Sequence, residues 1–377
     1  MKTKTPNKRI VLLDTHAIIH RAYHALPDFT GPSGAPTGAL YGLVSMLLKI
    51  IADLKPDYIA ACYDLPKPTI RHEAYEGYKA TRAKTEDALA LQIQESRKVF
   101  EAFSIPTYER EGFEADDLLG TIAHELSAED GSASGGKDVD VIIASGDMDT
   151  LQLVDDGRVR VYTLKRGIND TILYDEKKVI ERFGFSPTLI PDWKGLRGDP
   201  SDNIKGVPGI GEKTATELIT KFGAIEKMYA TLKKGDGAFL KKGIKARIVK
   251  LLKAHEEDAR FSKALATIRL DAPIAFTLPE QSWQENVDIK KVLAVFDEFG
   301  FRSLRERARG VLAGKVGDSG EGNEFPPEVV NPERLREGQV MLWLISSEFT
   351  NPSLDDILAF TKERTFSAGG GSASGGD

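Results

Sequence analysis

The 377-residue chain has a formal net charge of −6, with 41% hydrophobic and 29% charged residues, a composition typical of a globular protein of two or three domains. No apolar run is long enough to span a membrane, and the polar residues 1–9 lack the apolar core of a signal peptide. The single cysteine, Cys62, excludes an internal disulfide framework and fits a reducing compartment. We therefore expect a cytoplasmic protein that does not enter a membrane.

The charge is distributed unevenly along the chain. Residues 186–270 contain 17 Lys and Arg against 10 Asp and Glu, a net charge of +7, so the other residues together carry −13. A basic module joined to an acid-rich region suits a polyanion that one part holds and the other cuts with the help of metal ions.

Three short apolar runs predict buried parallel strands, and at least one acid follows each of them. They are residues 10–13 before Asp14, residues 58–63 before Asp64, and residues 139–144 before Asp147 and Asp149. In open α/β sheets, binding sites form at the carboxyl ends of the strands. The repetition of strand-end acids therefore favours a functional site at this edge.

The helix predicted after Asp14 carries His16, His20 and His24 at intervals of four residues. Such a stripe is compatible with zinc, but no further His or Cys set with zinc-ligand spacing accompanies it, so we interpret this face as structural. Arg21 lies on the same helix and is within reach of the strand-end acids.

Residues 69–82 mix cations with tyrosines, among them Arg71, Tyr78, Lys79 and Arg82. Cations bind phosphates and aromatic rings stack on bases, which is the pattern of a site for single-stranded nucleic acid. A solvated helical connector with tyrosines packed beneath it explains the same residues. This segment alone does not decide between the two, and a helix is predicted after it, over residues 86–103.

Glu114, Asp116 and Asp117 stand together at the start of an apolar helical pattern. Acids in the first turn of a helix complement the helix dipole, which would explain one of them. Three close carboxylates on a packed helix also form a set of hard oxygen ligands that suits Mg²⁺ or Mn²⁺. The other acidic motifs of the chain favour the metal interpretation.

A second, helical module is predicted from about residue 186. Its loop 198–203 supplies Asp199 and Asp202, and residues 206–215 are predicted to be two helices joined by a glycine hairpin. Glycines leave backbone N–H groups exposed at a helix N-terminus, where a phosphate oxygen can bind without any reading of base sequence. The basic run from Lys233 to Arg247 either extends this surface or is an ordinary solvated face.

The remaining segments are predicted to be connectors and spacers. Residues 287–309 form a helical connector, residues 310–323 a Gly-rich linker, and residues 324–366 a segment with little apolar content. Residues 131–136 and the end of the chain share the sequence Gly-Ser-Ala-Ser-Gly-Gly, which is typical of flexible spacers.

The ordered acidic motifs together resemble those of a known family. From about residue 10 to residue 304, the chain is similar to the 5′-nuclease domain of bacterial DNA polymerase I, a member of the flap endonuclease superfamily with a PIN-like core. The resemblance rests on nine acids in five motifs: Asp14, Asp64, Glu114-Ala-Asp116-Asp117, Asp147-Met-Asp149 and Asp199-Pro-Ser-Asp202. Residues 206–215 resemble that family's helix–three-turn–helix.

The resemblance implies two Mg²⁺ or Mn²⁺ ions. One set of acids would hold the first ion: Asp14, Asp64, Glu114 and Asp116. A second set would hold the other: Asp147, Asp149 and Asp202. Asp117 and Asp199 would lie close by, as additional or water-mediated ligands.

The resemblance also implies roles for basic and glycine residues. Lys79 and Arg82 would polarise the scissile phosphate, with Tyr78 stacked on a terminal base, and Arg21 and Arg71 match basic positions near the same pocket. The hairpin would hold the duplex backbone, in many relatives with a K⁺ ion. Its expected DNA contacts are Gly206, Gly209, Gly211, Lys213 and Thr214.

We therefore expect an α/β fold, a mostly parallel sheet covered by helices on both faces, followed by a helical DNA-binding module. The expected domains are 1–185 (catalytic), 186–312 (DNA-binding) and 313–377 (linker and a partial tail that resembles the start of a degenerate proofreading module).

The expected activity is two-metal hydrolysis of DNA at 5′ ends or 5′ flaps, where one ion lowers the pKa of a bound water and both stabilise developing charge. This suits primer removal and repair in the bacterial cytosol by a monomer, with a polymerase module in cis or in trans and RNA primers as further substrates. Two rivals remain: a PIN-type ribonuclease, and a non-catalytic protein that binds junctions.

Overall fold

A computed structural model describes residues 7–26, 29–127, 139–166 and 170–313. The predicted spacer at residues 131–136, most of the turn predicted at 167–170, and the linker and tail after residue 313 lie outside these ranges. Within them the strands are β1 (Lys8–Asp14), β2 (Tyr58–Cys62), β3 (Thr107–Tyr108), β4 (Val139–Ala144), β5 (Val159–Arg166) and β6 (Asp170–Tyr174).

Fifteen α-helices and two short 3₁₀ helices (Met148–Leu153 and Pro187–Leu189) occur in the described ranges. The α-helices of the first half are α1 (Thr15–Ala25), α2 (Gly38–Leu54), α3 (Ile70–Ala74), α4 (Asp87–Ala102), α5 (Ala115–Ser127) and α6 (Glu176–Phe183). The others are α7 (Ile190–Arg197), α8 (Glu212–Phe222), α9 (Ile225–Lys233), α10 (Gly237–Lys241), α11 (Ala246–Ala254), α12 (Glu256–Ala266), α13 (Trp283–Asn286), α14 (Ile289–Phe299) and α15 (Arg302–Leu312).

The strands form one sheet in the order β3-β2-β1-β4-β5-β6. The first five are parallel, and β6 pairs with β5 in the antiparallel direction. Because β1 lies between β2 and β4, the three strands predicted to end in acids are neighbours. Their register aligns Asp14 with Cys62, and Leu13 with Ala144, so the acids leave the sheet side by side.

Side chains of β1 alternate between two cores, one on each face of the sheet. Ile10 and Leu12 pack with α5, α7 and α8, whereas Val11 and Leu13 pack with α1, α2 and α4. This arrangement confirms the predicted α/β fold with helices on both faces.

The last two helices, α14 and α15, pack on the part of the chain that carries the sheet. α14 and α15 pack against α2 and α4, and Phe296 and Phe301 join the core beneath them. The helical connector predicted over 287–309 contains two helices, α14 and α15. They are separated at Gly300, whose φ of 79° favours glycine. None of the helices in the described ranges is both long and apolar enough to cross a membrane.

Candidate metal centre and nucleic-acid interface

The carboxyl ends of β1, β2 and β4 form the floor of an acidic pocket. Asp14 is the last residue of β1, Asp64 follows β2, and Asp147 follows β4. Neutral donors orient these carboxylates: Asp14 accepts from the Ala17 amide (3.0 Å) and the Ser145 hydroxyl (2.6 Å). The sheet register therefore brings together acids that lie more than 130 residues apart in sequence.

The N-terminus of α5 completes this pocket. Glu114 immediately precedes the helix and Asp116 lies in its first turn, while the Ala115 amide donates to Asp64 Oδ1 (2.7 Å). The pocket, which we call the strand-end pocket, has a volume of about 230 Å³. Its acids are those that the sequence predicted at the strand ends and the helix start: Asp14, Asp64, Glu114, Asp116 and Asp147.

In the strand-end pocket, burial and neighbouring carboxylates disfavour the ionised form of two acids, Asp14 and Asp116. Burial raises the pKa of Asp14 to about 7, opposed by the Ser145 hydrogen bond and reinforced by the charge of Asp64. Burial, followed by the charge of Asp14, also raises the pKa of Asp116 well above its ordinary value. Carboxylates in this situation are stabilised by a bound cation, and their hard oxygens fit a divalent ion such as Mg²⁺.

A second acidic group lies beside the first. Asp149, Asp199 and Asp202 each offer a ligand atom, and these atoms lie within 4.8 Å of one another, so the group can hold a metal ion. We call it the loop triad. Asp149 comes from the 3₁₀ helix after β4, and the other two come from the loop after α7.

Two glycines close the loop that carries Asp199 and Asp202. Gly198 (φ 76°) and Gly206 (φ 65°) cross so closely that a Cβ on Gly206 would lie 2.2 Å from the Gly198 nitrogen. Between them, Asp199 and Ile204 exchange backbone hydrogen bonds of 2.7 and 2.8 Å. The glycines are therefore required by the backbone approach that brings Asp199 and Asp202 together.

Lys194, which sequence reasoning missed, neutralises two acids of the loop triad. Its ammonium group forms ion pairs with Asp149 and Asp199. Burial raises the pKa of Asp149 to about 6, with the charge of Asp147 adding to the effect and Lys194 opposing it. Burial would raise the pKa of Asp199, but Lys194 and the hydrogen bonds from Ser201 together outweigh it and lower this pKa to about 2. A lysine five residues before an acid carries no sequence signal for this contact.

Asp117 and Arg71, which were expected beside the metal ions, pair with each other instead. Arg71 donates to both oxygens of Asp117, at 2.8 Å each, and the amides of Glu114 (3.1 Å) and Arg269 (2.8 Å) donate to the same carboxylate. These four bonds use all the acceptor sites of Asp117, whose side chain is 1% exposed. We therefore withdraw Asp117 as a metal ligand.

Arg71 also fastens the chain that returns from the basic module. Its Nε donates to the Leu265 carbonyl (2.9 Å) and its Nη2 to the Thr267 carbonyl (2.7 Å). Through Nη1 it contacts Glu114 at 3.3 Å. Arg71 is thus a buried positioning residue between the pocket and the basic module, and it is not exposed to a substrate.

Residues 75–82 fold over the strand-end pocket as a series of turns, and the helix of this region is limited to α3. Lys79 donates to Glu114 (2.8 Å), and Arg82 donates to Asp202 (2.5 Å). Tyr78 is 3% exposed, and its hydroxyl, with a single proton to donate, lies within hydrogen-bond distance of both Glu114 (3.0 Å) and Asp202 (3.2 Å). In this conformation no base can stack on Tyr78, so that expected role requires the segment to move.

The histidine face of α1 borders the metal centre. His16 and His20 line the strand-end pocket, and His16 Nδ1 accepts from the Asp64 amide (3.1 Å). Their rings stand 6.4 Å apart. His16 therefore helps to position the chain around a proposed metal ligand, a role that the structural interpretation of this face did not specify.

A groove of about 800 Å³ continues from the strand-end pocket, and Arg82 and Asp147 line both. Its walls carry Arg21, Arg182 and Arg197, and the Arg197 guanidinium lies 4.3 Å above the Trp193 ring. Cations and planar groups along a groove are the features that bind a nucleic-acid strand.

The glycine hairpin divides into a buried and an exposed part. Gly206 is buried and its amide donates to Ser262 Oγ (3.0 Å), so this N–H is not available to a phosphate. Gly209, Gly211 and Lys213 are exposed around the N-terminus of α8, where the first-turn amides have no intrahelical partners. Thr214 is half-buried in the same turn.

Comparison with known proteins agrees with this geometry. The 5′-3′ exonuclease family matches in two parts, its N-terminal resolvase-like domain over residues 9–184 and its C-terminal SAM fold over residues 185–288. The chain belongs to the 5′-3′ exonuclease family. The predicted resemblance and the predicted class of enzyme, a 5′ nuclease, are thereby confirmed.

The relatives of this nuclease include bacterial DNA polymerases I. That of Bacillus caldotenax is 41% identical over 300 residues, which are 80% of this chain and 32% of the relative. That of Mycobacterium tuberculosis (strain H37Rv) is 32% identical over 338 residues, 89% of this chain and 35% of the relative. The chain thus spans about a third of the length of the polymerases it matches.

Solved structures share the fold of this nuclease. T5 5′-exonuclease with bound zinc ions superimposes with a TM-score of 0.53 at 21% identity, covering 81% of this chain and 99% of that one. The T5 D15 flap endonuclease, in a complex with DNA and metal ions, gives a TM-score of 0.53 at 20% identity, covering 81% and 98%. These likenesses show the fold, and the roles of individual residues remain predictions.

Proposed function

We propose that this nuclease hydrolyses DNA at 5′ ends and 5′ flaps, at junctions between single and double strands, with two divalent cations. The observation that carries the proposal is the pair of adjoining acidic sites, the strand-end pocket and the loop triad, both bordered by Asp147 or its neighbour Asp149. Mg²⁺ is the expected ion and Mn²⁺ the expected substitute, because both prefer carboxylate oxygens.

The residues present fit two such ions. We assign Asp14, Asp64, Glu114 and Asp116 to one, and Asp147, Asp149 and Asp202 to the other, with Asp199 beside the second. When bound, the ions supply charge neutralisation at the phosphate and activation of water. The carboxylates of the protein are oriented for this by neutral donors, such as the Ser145 hydroxyl on Asp14.

The substrate strand would follow the groove next to the metal centre. Arg21, Arg182 and Arg197 would contact its phosphates, and the guanidinium of Arg197 on Trp193 offers a planar surface for a base. The duplex would lie on the basic module, with Gly209, Gly211, Lys213 and Thr214 at its backbone. Backbone contacts of this kind select for structure and not for sequence.

The turn segment 75–82 would act on the reacting phosphate after it leaves its present contacts. Lys79 and Arg82 now neutralise Glu114 and Asp202. In the complex with metal ions and DNA, the two side chains would neutralise the oxygens of the scissile phosphate, where charge develops in the transition state. Tyr78, released with them, would then present its ring to a terminal base.

The domain division at 185/186, the action as a monomer, and primer removal and repair as the setting remain parts of this proposal. We also propose a polymerase partner, in cis or in trans, which is supported by relatives in which the matching region belongs to a longer DNA polymerase I.

A substrate panel tests the proposal. Four 5′-labelled nucleic acids of matched sequence are incubated with the protein in Mg²⁺ or in EDTA: a 5′ flap duplex, a 3′ flap duplex, single-stranded DNA and an RNA with a 5′ overhang. We expect cleavage near the junction of the 5′ flap, in Mg²⁺ only. Preference for the RNA would favour the ribonuclease rival, and tight binding without cleavage in Mg²⁺ and Mn²⁺ would favour the junction-binding rival.

A further inference from the structure

Lys194 is an internal cation of the loop triad. It lies in the last turn of α7, is 8% exposed, and pairs with Asp149 Oδ1 and Asp199 Oδ2. The two acids that it holds are the same ones that can bind a metal ion with Asp202.

The third acid of the loop triad is also neutralised by the chain. Arg82 donates to Asp202 Oδ1 at 2.5 Å. Arg82 belongs to the turn segment over the pocket and half of its side chain is exposed (51%), whereas Lys194 projects from a helix and its side chain is 10% exposed. Displacement of Arg82 requires a surface side chain to move, but displacement of Lys194 requires a buried ammonium to give up both of its partners.

We propose that Lys194 competes with a divalent cation for Asp149 and Asp199 and thereby sets a weak affinity of the loop triad for metal. The identity of the ligand as a divalent cation rests on the proposed function, and the competition rests on the contacts described above. A metal ion that takes the same carboxylates removes the partners of the ammonium group, and the two cations then repel each other across a few ångströms of low-dielectric protein. The loop triad therefore binds its ion more weakly than the strand-end pocket, where neutral donors hold Asp14 and Asp64, and where Lys79 and Arg71 pair with one acid, Glu114.

Metal binding to the DNA-free full chain tests this directly. Mn²⁺ is titrated calorimetrically into the wild type, Lys194→Met and Lys263→Met. Lys263 is a matched control, because it also pairs with two acids of the basic module, Asp192 (2.7 Å) and Glu226 (2.8 Å), away from the metal centre. We expect Lys194→Met to bind the weaker Mn²⁺ at least about tenfold more tightly, about 1.4 kcal/mol, and Lys263→Met to bind it like the wild type.

Thermal unfolding gives a second readout. In EDTA, Lys194→Met should unfold at a lower temperature than the wild type, because its acids are left without a counter-ion, and Mn²⁺ should raise its Tm by more than it raises that of the wild type. If Lys194→Met does not fold without metal, Lys194→Gln replaces it, since the amide still donates to one carboxylate but carries no charge.

An unchanged or weaker affinity of these variants for the second Mn²⁺ would overturn the proposal and make Lys194 a support of the metal ligands. An equal gain in Lys263→Met would also overturn it, because the effect would then be one of general charge. These titrations contain no DNA, so their outcome does not depend on the outcome of the substrate panel. A chain that fails to cut DNA still reports the competition, and a chain that cuts DNA can still refute it.

Discussion

The two acidic sites of this nuclease are built in different ways. In the strand-end pocket, Asp14, Asp64 and Asp147 leave neighbouring parallel strands, and backbone amides or a hydroxyl group orient their oxygens. In the loop triad, a 3₁₀ helix meets a loop some fifty residues later, and charged side chains hold the acids together. In the strand-end pocket, Lys79 and Arg71 pair with one acid, Glu114, whereas each of the three acids of the loop triad pairs with a lysine or an arginine that an ion must displace.

This difference assigns separate tasks to the positive residues around the centre. Lys194 and Arg82 neutralise the loop triad, and Lys79 neutralises Glu114. Arg71 neutralises Asp117, which lies outside the pocket. The following predictions test the comparison between the two sites.

Loss of Asp147 should have the largest effect, since this residue borders both the strand-end pocket and the groove. Asp147→Asn keeps an acceptor for the Asp149 amide (2.9 Å), so the turn should fold, but it removes one charge. Single-turnover cleavage of a 5′ flap should fall by at least about ten-thousandfold, about 5 kcal/mol, with DNA affinity nearly unchanged.

Asp140→Asn is the matched control for this substitution. Asp140 lies near the opposite end of β4 and pairs with Arg160 (3.2 Å). It should cut at the wild-type rate. Wild-type turnover by Asp147→Asn would remove Asp147 from the proposed ligands.

The buried pair of Arg71 and Asp117 should affect stability more than metal binding. Arg71→Met leaves a carboxylate with a 1% exposed side chain without its counter-ion, which should cost about 3–5 kcal/mol of the free energy of unfolding. Arg97→Met, which breaks an exposed pair with Glu109, should cost about 0–1 kcal/mol. Urea unfolding in EDTA measures both. Equal losses in the two variants would contradict the positioning role of Arg71.

Lys79 should affect rate more than affinity. Lys79→Ala should lower single-turnover cleavage by about a hundredfold, comparable to the loss of one oxyanion donor, because its charge acts on the transition state. Equilibrium binding of the same flap should change little, since the basic module makes most phosphate contacts. Lys84→Ala is the control, because Lys84 is an exposed lysine two residues after the turn segment. A rate within about threefold of the wild type, well under 1 kcal/mol, would show that Lys79 is only a surface lysine.

Single substitutions in the basic module should have the smallest effects, and these should be on DNA binding. Lys213→Ala at the start of α8 should weaken duplex binding a few-fold and reduce the slope of log affinity against log salt by about 0.9, the value for one phosphate contact. Lys177→Ala, on the exposed face of α6, should leave the slope unchanged. Equal slopes for Lys213→Ala and the wild type would place the duplex elsewhere.

The fold and most of the acidic site residues could be predicted from the sequence, because the signals for them are local. An apolar run that ends in Asp14 predicts both a buried parallel strand and the position of its carboxylate. The start of α5 at Ala115 follows in the same way from an acidic first turn before an apolar helical pattern.

The partners of these acids could not be predicted, because they depend on tertiary contacts. Asp117 was expected close to the ions as an additional or water-mediated ligand, and only the tertiary contacts show that Arg71 and two backbone amides saturate it. Lys194 reaches Asp149 across 45 residues. Gly206 was expected to contact a phosphate. The close approach of its backbone to Gly198 explains why a glycine is needed at this position without any contact to DNA.

The dependence of cleavage on Mg²⁺ tests the central claim most directly, that two divalent ions act together at these adjoining sites. The measurement is single-turnover cleavage of one 5′-labelled flap duplex over a range of free Mg²⁺, starting from EDTA. The two-site account predicts no cleavage in EDTA and a sigmoidal rise of rate with Mg²⁺, in which a second, weaker ion is required. A rate that rises hyperbolically with a single ion, or cleavage that persists in EDTA, would contradict it.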